Sequence, residues 1–390
     1  MKHTIRTADP RDTSPASHGT PNGIRNGTSN DAPDPARRPS RRTRPTGAPR
    51  GFLVIGRTVA LPVRRISVVT ALLVVLLTLA AAVATLSLGR IGVPLADLPG
   101  ALTGGARGTD VFVLERLRGP RLVVAAGTGA ALGLSGALFQ SVTRNPLGSP
   151  DVIGLGAGAG AGAAVVALLL PGTLPVPVGA LAGAAAAMAL VYVSTGAGFR
   201  NGGRLVVAGI GVAAIGTAVT QYVVYAVERD KATVLTAYVN GSLAARSWSD
   251  AGVIWLVLLA AVPCTALIAR RLDIGEMGDD LAEGLGARPR STKSLAVTLA
   301  IVLSAAAVSV AGPIAFISLT APQIAKRLTR GSGPQLTQAT LVGALLLVSA
   351  DLAAQQLPLF EDLPVGIYTM ALGGGYLGWL LIREWRRGVL

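Results

Sequence analysis

The chain repeats one pattern: apolar runs of roughly twenty residues, separated by short connections that hold most of its Arg, Lys, Asp and Glu. The first run, 67–88, carries no charge and follows Arg64 and Arg65. At about 1.5 Å per residue it is long enough to cross a hydrocarbon core of about 30 Å. Further runs lie at 122–140, 152–170, 177–197, 205–227, 251–269, 294–311, 312–329, 338–354 and 364–382. Two of them are nearly fused, and the Gly312-Pro313 pair divides them. The pattern predicts an all-α polytopic membrane protein with about ten transmembrane helices. Ala82-Val83-Ala84 fits a small-residue cleavage site. The apolar stretch before it is too long for a signal peptide, so it is expected to be a retained span.

Glycine marks where the spans should meet. Gly127, Gly129, Gly133 and Gly136 lie in the second run, and Gly154, Gly156, Gly158, Gly160 and Gly162 alternate mostly with alanine in the third. In lipid, apolar surface alone does not drive helices together, and small residues let backbones approach closely. These glycines lie inside spans with no preceding strand, so they do not form a nucleotide fingerprint.

Composition then excludes several function classes. Hydrophobic residues make up 51% of the chain and charged residues 14%, where a soluble domain carries about a quarter charged. Cys264 is the single cysteine, so no internal disulfide or thiolate metal cluster is possible. The only histidines, His3 and His18, lie in the polar N-terminal stretch, which removes histidine chemistry from the apolar body. No P-loop pattern occurs. No catalytic residue, metal or cofactor is therefore expected, and the chain should not itself be an enzyme.

Charge gives the orientation. Residues 1–66 hold 13 Lys/Arg against 4 Asp/Glu, of a net +15 for the whole chain. They read as a basic cytoplasmic tail and juxtamembrane segment, disordered over 1–50 because it has no apolar periodicity to bury. No aromatic residue interleaves the tail's arginines, so contact with anionic lipid is expected rather than nucleic acid. The membrane domain is 67–390. With the N-terminus inside, Arg144, Arg200, Arg204, Arg270, Arg271, Arg288, Arg290 and Lys293 fall in inner connections. Lys326, Arg327, Arg330, Arg383, Arg386 and Arg387 fall inside too, so both termini are cytoplasmic. The exception is 89–121, which would place Arg90, Arg107, Arg116, Arg118 and Arg121 outside.

Four segments stand out from this background. They are Arg118-Gly119-Pro120-Arg121; Asn145-Pro146-Leu147-Gly148-Ser149-Pro150-Asp151; the inner connection 273–290; and Gly312 through Pro322. In 273–290 the acids come first and Arg288 and Arg290 last, an order suited to a short helix with both dipole ends complemented. Together the segments resemble the FecCD family of ABC-importer permeases, which move ferric siderophores, haem or cobalamin. The family's R-L-P-R is similar to 118–121, and its G-A-x-L-x-x-x-G-x-x-x-Q to Gly129 through Gln140. Its R-N-P-L-A-x-P-x-x-L-G is similar to Arg144 through Gly154. Its G-x-I-x-F-I-G-L-x-x-P-H is similar to Gly312 through Pro322, with Gln323 in place of the histidine. The resemblance spans roughly 67–385.

The resemblance implies a ferric-siderophore permease that works with a second permease, two ATPase subunits and an extracytoplasmic binding protein. It implies that Arg118 and Arg121 reach outward to acids on the binding protein. Asn145 and Leu147 would narrow the inner mouth of the pathway. Residues 273–290 would seat on the ATPase through Ile274, Met277, Leu281, Leu285 and Gly286, the four apolar ones recurring at helical spacing. Two departures favour a heterodimer. Gln355 stands where the family often has an arginine one turn after Asp351, and Gly373-Gly374-Gly375-Tyr376-Leu377 stands for G-A-P-x-F. The rival class is an ion-coupled secondary transporter, for which Asp351 is the one candidate carrier within the spans.

Overall fold

The computed structural model describes residues 52–55, 61–89, 91–105, 108–196, 202–226, 240–357 and 363–386. The tail 1–50, with its expected disorder and lipid contact, lies outside the described residues, as do Arg57, Arg90, Arg107, Arg200, Glu361, Asp362 and Arg387.

Helices form where the apolar runs predict them: α1 (Arg65–Ser87), α2 (Thr109–Thr143), α3 (Leu155–Leu169), α4 (Val176–Ser194) and α5 (Gly202–Ala226). They continue as α6 (Trp248–Gly275), α7 (Asp279–Gly284), α8 (Pro289–Ala311), α9 (Ile317–Thr329), α10 (Leu336–Gln356) and α11 (Val365–Arg386). Among the described residues, α1, α2, α4, α5, α6, α8 and α10 are long and apolar enough to cross a membrane. Two of the runs make shorter helices: α3 has 15 residues and α9 has 13. At 1.5 Å per residue they reach only about 20 Å. For α9 the cause lies at its start. Gly312 and Phe316 both take positive φ, and 312–316 leaves the helical path before Ile317 resumes it.

Before α1, Phe52–Ile55 and Leu61–Arg64 pair as a small antiparallel hairpin, Phe52 opposite Arg64 and Ile55 opposite Leu61. The first strand is four apolar residues of high strand propensity, too few for a span. Several hydroxyls within the spans are satisfied by their own helix. Thr78 and Thr85 donate to the carbonyls of Val74 and Ala81, as a dry environment demands.

The core gathers on α2, which packs against α10, α8, α9 and α6. α2 is 83% buried over its apolar window, whereas α1, on the periphery, is 11% buried. Glycine makes this possible. A methyl at Gly129 would lie 2.3 Å from the Gly343 carbonyl oxygen on α10, and one at Gly343 would lie 2.2 Å from the Gly129 oxygen. At Gly136 it would lie 1.7 Å from the Ser318 oxygen on α9. The third run repeats the device. Gly158 and Gly162 of α3 meet Gly183 and Gly179 of α4, with would-be contacts of 2.1–2.7 Å to carbonyl oxygens. The glycines of α3 divide by role, since Gly156 and Gly160 have no contact under 3.4 Å.

Gly129→Ala is therefore expected to destabilise the fold by about 1–3 kcal/mol, because backbone oxygen cannot move aside as a side chain can. Gly252→Ala, where the added carbon meets nothing within 4 Å, should be neutral or slightly stabilising. Thermal unfolding in detergent checks both, and equal melting temperatures for the two variants would contradict the packing account.

Candidate functional site

α2 ends at Thr143, and Arg144 turns the chain by adopting a left-handed conformation, φ 49°. The next residues form a tight turn around Asn145. Its Oδ1 accepts from the Leu147 N–H at 2.9 Å, and its carbonyl accepts from the Gly148 N–H at 3.0 Å. Pro146 and Pro150 keep helix from running through. Leu147 is left exposed at the tip. The two residues expected to narrow the inner mouth thus belong to one stiff turn, with Asn145 holding the conformation that presents Leu147.

A glutamine relay fixes this turn to the helices beside it. Gln323 Nε2 donates to the Pro146 carbonyl at 3.0 Å and to Gln140 Oε1 at 2.6 Å. Gln140 Nε2 then donates to the Leu319 carbonyl at 3.1 Å. One residue beyond the turn, Asp151 Oδ2 accepts from the buried Ser318 hydroxyl at 2.5 Å. The turn is therefore pinned to α2 on one side and α9 on the other. Sequence reading flagged Gln323 only as a departure from the family pattern; its role needed α9 and α2 to be neighbours.

The connection after α6 is shorter and more exposed than its sequence limits imply. α7 has six residues, so Ile274 belongs to the last turn of α6 and is half-buried, and Pro289 and Arg290 already belong to α8. This corrects two expectations: Ile274 does not share the exposed face, and Arg290 complements no C-terminus of α7. Met277 precedes α7, Leu281 lies within it and Leu285 follows it, each 62–64% exposed. Ala282, on the other side, is fully buried, and its carbonyl accepts from the Ala287 N–H at 2.9 Å. Gly286 closes the segment at φ 78°, a conformation costly for other residues.

Arg144 joins the two parts. Its Nη2 donates to the Gly275 carbonyl at 2.6 Å and to Asp279 Oδ1 at 2.5 Å. Lys293 Nζ donates to Asp279 from α8 at 2.6 Å. The Lys293 hydrogen bond is the main cause holding the Asp279 carboxyl below its ordinary range, with Arg144 adding to it. Asp279 therefore stays ionised throughout the physiological range. Arg144 at the end of α2, α7 and the start of α8 are tied at one carboxylate.

At the opposite end, the outward arginines are engaged within the fold. Arg118 is 8% exposed, and its Nη1 donates to the carbonyl oxygens of Thr85 and Leu88 at the end of α1. The expectation that Arg118 reaches outward is thus corrected. Arg121 meets Asp351 of α10 with two nitrogens: Nε at 2.9 Å and Nη2 at 2.7 Å from Oδ1. Asp351 is 1% exposed, and Gln355 Nε2 donates to its other oxygen at 2.7 Å. The glutamine one turn after Asp351 supplies a neutral donor where a second cation would otherwise stand. A carboxylate held by three donors is poorly placed to carry ions across.

The residues 72–383 match the model of the FecCD transport family. The chain belongs to the FecCD transport family. Among FecCD relatives it is 40% identical over 332 residues to the ferric enterobactin transport system permease protein FepG of Escherichia coli (strain K12), covering 83% of this chain and 99% of that one. It is 37% identical to the achromobactin transport system permease protein CbrC of Dickeya dadantii (strain 3937), covering 80% and 90%. A solved structure described as an inward-facing conformation of a metal-chelate type ABC transporter shares the fold, with TM-score 0.71 and 23% identity over 80% of this chain and 98% of that one. As a FecCD protein, this chain is a multi-pass inner-membrane permease subunit of an ABC importer.

Removing one partner of a buried ion pair leaves an uncompensated charge and costs about 3–5 kcal/mol. Arg121→Gln should therefore lower the detergent melting temperature markedly, and Arg121→Met combined with Asp351→Leu should recover most of the loss. An Arg121→Gln protein as stable as wild type would show the pair to be incidental.

Proposed function

We propose that this chain passes ferric siderophores to the cytoplasm. The named relatives support a ferric chelate as cargo, since two are permeases for ferric enterobactin and for Fe(3+) dicitrate. The hemin permease HmuU of Yersinia pestis is more distant, at 31% identity. Selectivity rests with a binding protein that docks on the outer face. There Arg121 is the docking cation, because its side chain keeps 23% exposure beside Asp351 while Arg118 is turned inward. The second permease of the pair is a different chain. The Gln355 amide fills the place of a docking arginine here, so the partner would supply that cation.

Two separate ATPase subunits drive the cycle. The observation that carries this reading is the exposed stripe of Met277, Leu281 and Leu285, beside a carboxylate bonded to Arg144 at the mouth. Apolar side chains so exposed, one on a six-residue helix and one on either side of it, need a protein groove to cover them. Closure of the ATPases would move α7 as a rigid body. Asp279 and Arg144 would pass that displacement to Asn145 and Leu147, which gate the pathway.

Leu281→Asp with Leu285→Asp places two charges in the ATPase contact, which should cost several kcal/mol of binding. The variant should insert, pair with its partner permease and dock the binding protein, yet lose the ATPase on co-purification and lose uptake. Normal uptake by this variant would overturn the ATP-driven reading, because an ion-coupled transporter has no need of that face.

A further inference from the structure

The connection between α2 and α3 divides into two halves with unlike surroundings. Arg144, Asn145, Pro146 and Leu147 are all exposed, whereas Gly148, Ser149, Pro150, Ile153 and Gly154 are buried. The exposed half is held by bonds open to water, from Arg144 to Asp279 and from Gln323 to the Pro146 carbonyl. The buried half is wedged among helices. A methyl at Gly148 would lie 3.3 Å from the Phe139 ring of α2. At Gly154, where φ is 82°, it would lie 2.8 Å from the Ala213 nitrogen and 3.0 Å from the Gly209 oxygen of α5.

Asp151 stands in the middle of this buried half. Pro150–Ile153 make one tight helical turn, closed by the Gly154 N–H donating to the Asp151 carbonyl at 3.0 Å. From that turn, Asp151 Oδ2 accepts from the Ser318 hydroxyl at 2.5 Å. Ser318 lies in the first turn of α9 and is 0% exposed. A hydrogen bond to a carboxylate is about twice as strong as one between neutral groups. The bond from Gln323 to Pro146 joins two neutral groups at 3.0 Å on the exposed side. The same helix therefore grips the connection at two points of unequal strength. The family pattern leaves the position of Asp151 open, so the resemblance assigns this carboxylate no role.

We propose that Asp151 and Ser318 are positioning residues, the fixed pivot about which Asn145 and Leu147 swing when the pathway opens inward. The proposal rests on the reading of α7 as the ATPase contact. A pull on Arg144 would reorient the exposed half only if the far end of the connection stays in place. Without that fixed end the whole connection would follow α7, and the displacement would be lost before it reached Leu147. The bond from Gln323 is the one that would yield, and the bond from Ser318 the one that would hold.

The test is the number of ferric siderophores taken up per ATP hydrolysed. It uses proteoliposomes holding both permeases and their ATPases, with binding protein outside. Ser318→Ala removes the donor with little change of volume, and Asp151→Ala removes the acceptor. Each should lower the ratio about tenfold, the scale of one hydrogen bond to a charged group, while binding protein still stimulates ATP hydrolysis. The two changes together should cost no more than either alone, as expected for one shared contact. Ser318→Thr keeps the hydroxyl and should keep most of the ratio. Asp151→Asn, which retains an acceptor without the charge, serves if the alanine variants fail to insert, with an expected loss of about threefold. An unchanged ratio in the alanine variants would overturn the proposal. So would ATP hydrolysis that falls in step with uptake, which would mark a contact needed only for assembly, and so would additive losses in the double variant. Failure of the ATP-driven reading would show differently, as wild-type uptake that needs no ATP.

Discussion

The close approach of α2 to α10 is the contact on which the rest of this structure depends. Lipid offers no reward for burying one apolar helix against another, so association has to come from packing and from polar contacts. Gly129 and Gly343 let two backbones meet with each carbonyl oxygen against the other's glycine. The Arg121–Asp351 pair fastens the same two helices near their outer ends. With α2 so fixed, both functional ends of the molecule are fixed with it. Arg118 and Arg121 stand at its outer end, and the turn of Asn145 and Leu147 begins where it stops.

The inner network is built differently. The outer pair is largely removed from water, whereas Arg144, Asp279 and Lys293 keep a third to a half of their side-chain surface exposed. Pairs this exposed contribute little to stability. Their use is geometric: one carboxylate sets the distance between the mouth turn, α7 and α8. A weak link would suit the movement proposed for α7. The glutamine relay on the other side gives the turn of Asn145 and Leu147 a second anchor, on α9, against which the proposed displacement of α7 would act.

Much of this was legible in the sequence, because hydropathy and glycine spacing are local and the bilayer enforces them strictly. The ten apolar runs all became helices, the Gly312-Pro313 break fell between α8 and α9, and the alternating glycines of α3 packed as expected at Gly158 and Gly162. Of the four apolar residues that helical spacing put on one stripe, Met277, Leu281 and Leu285 are exposed, whereas Ile274 belongs to α6 and only Leu281 lies within α7. What sequence could not supply was direction and partnership across the chain. Hydropathy does not reveal that Phe316 takes positive φ, so the short start of α9 was hidden. Nor does it tell that Arg118 turns back to carbonyls 30 and more residues away, or that Gln323 finds Gln140 and Pro146. Each of these depends on which helix lies beside which, and only the folded chain decides that.

The central claim is that this chain is a passive pathway whose energy arrives through α7 from ATP hydrolysed on separate subunits. Uptake of a radiolabelled ferric siderophore into proteoliposomes holding both permeases and their ATPases, with binding protein outside, tests it most directly. The account predicts accumulation that requires ATP inside the vesicles and continues unchanged when a protonophore collapses the proton gradient. Accumulation without ATP that the protonophore abolishes would contradict it.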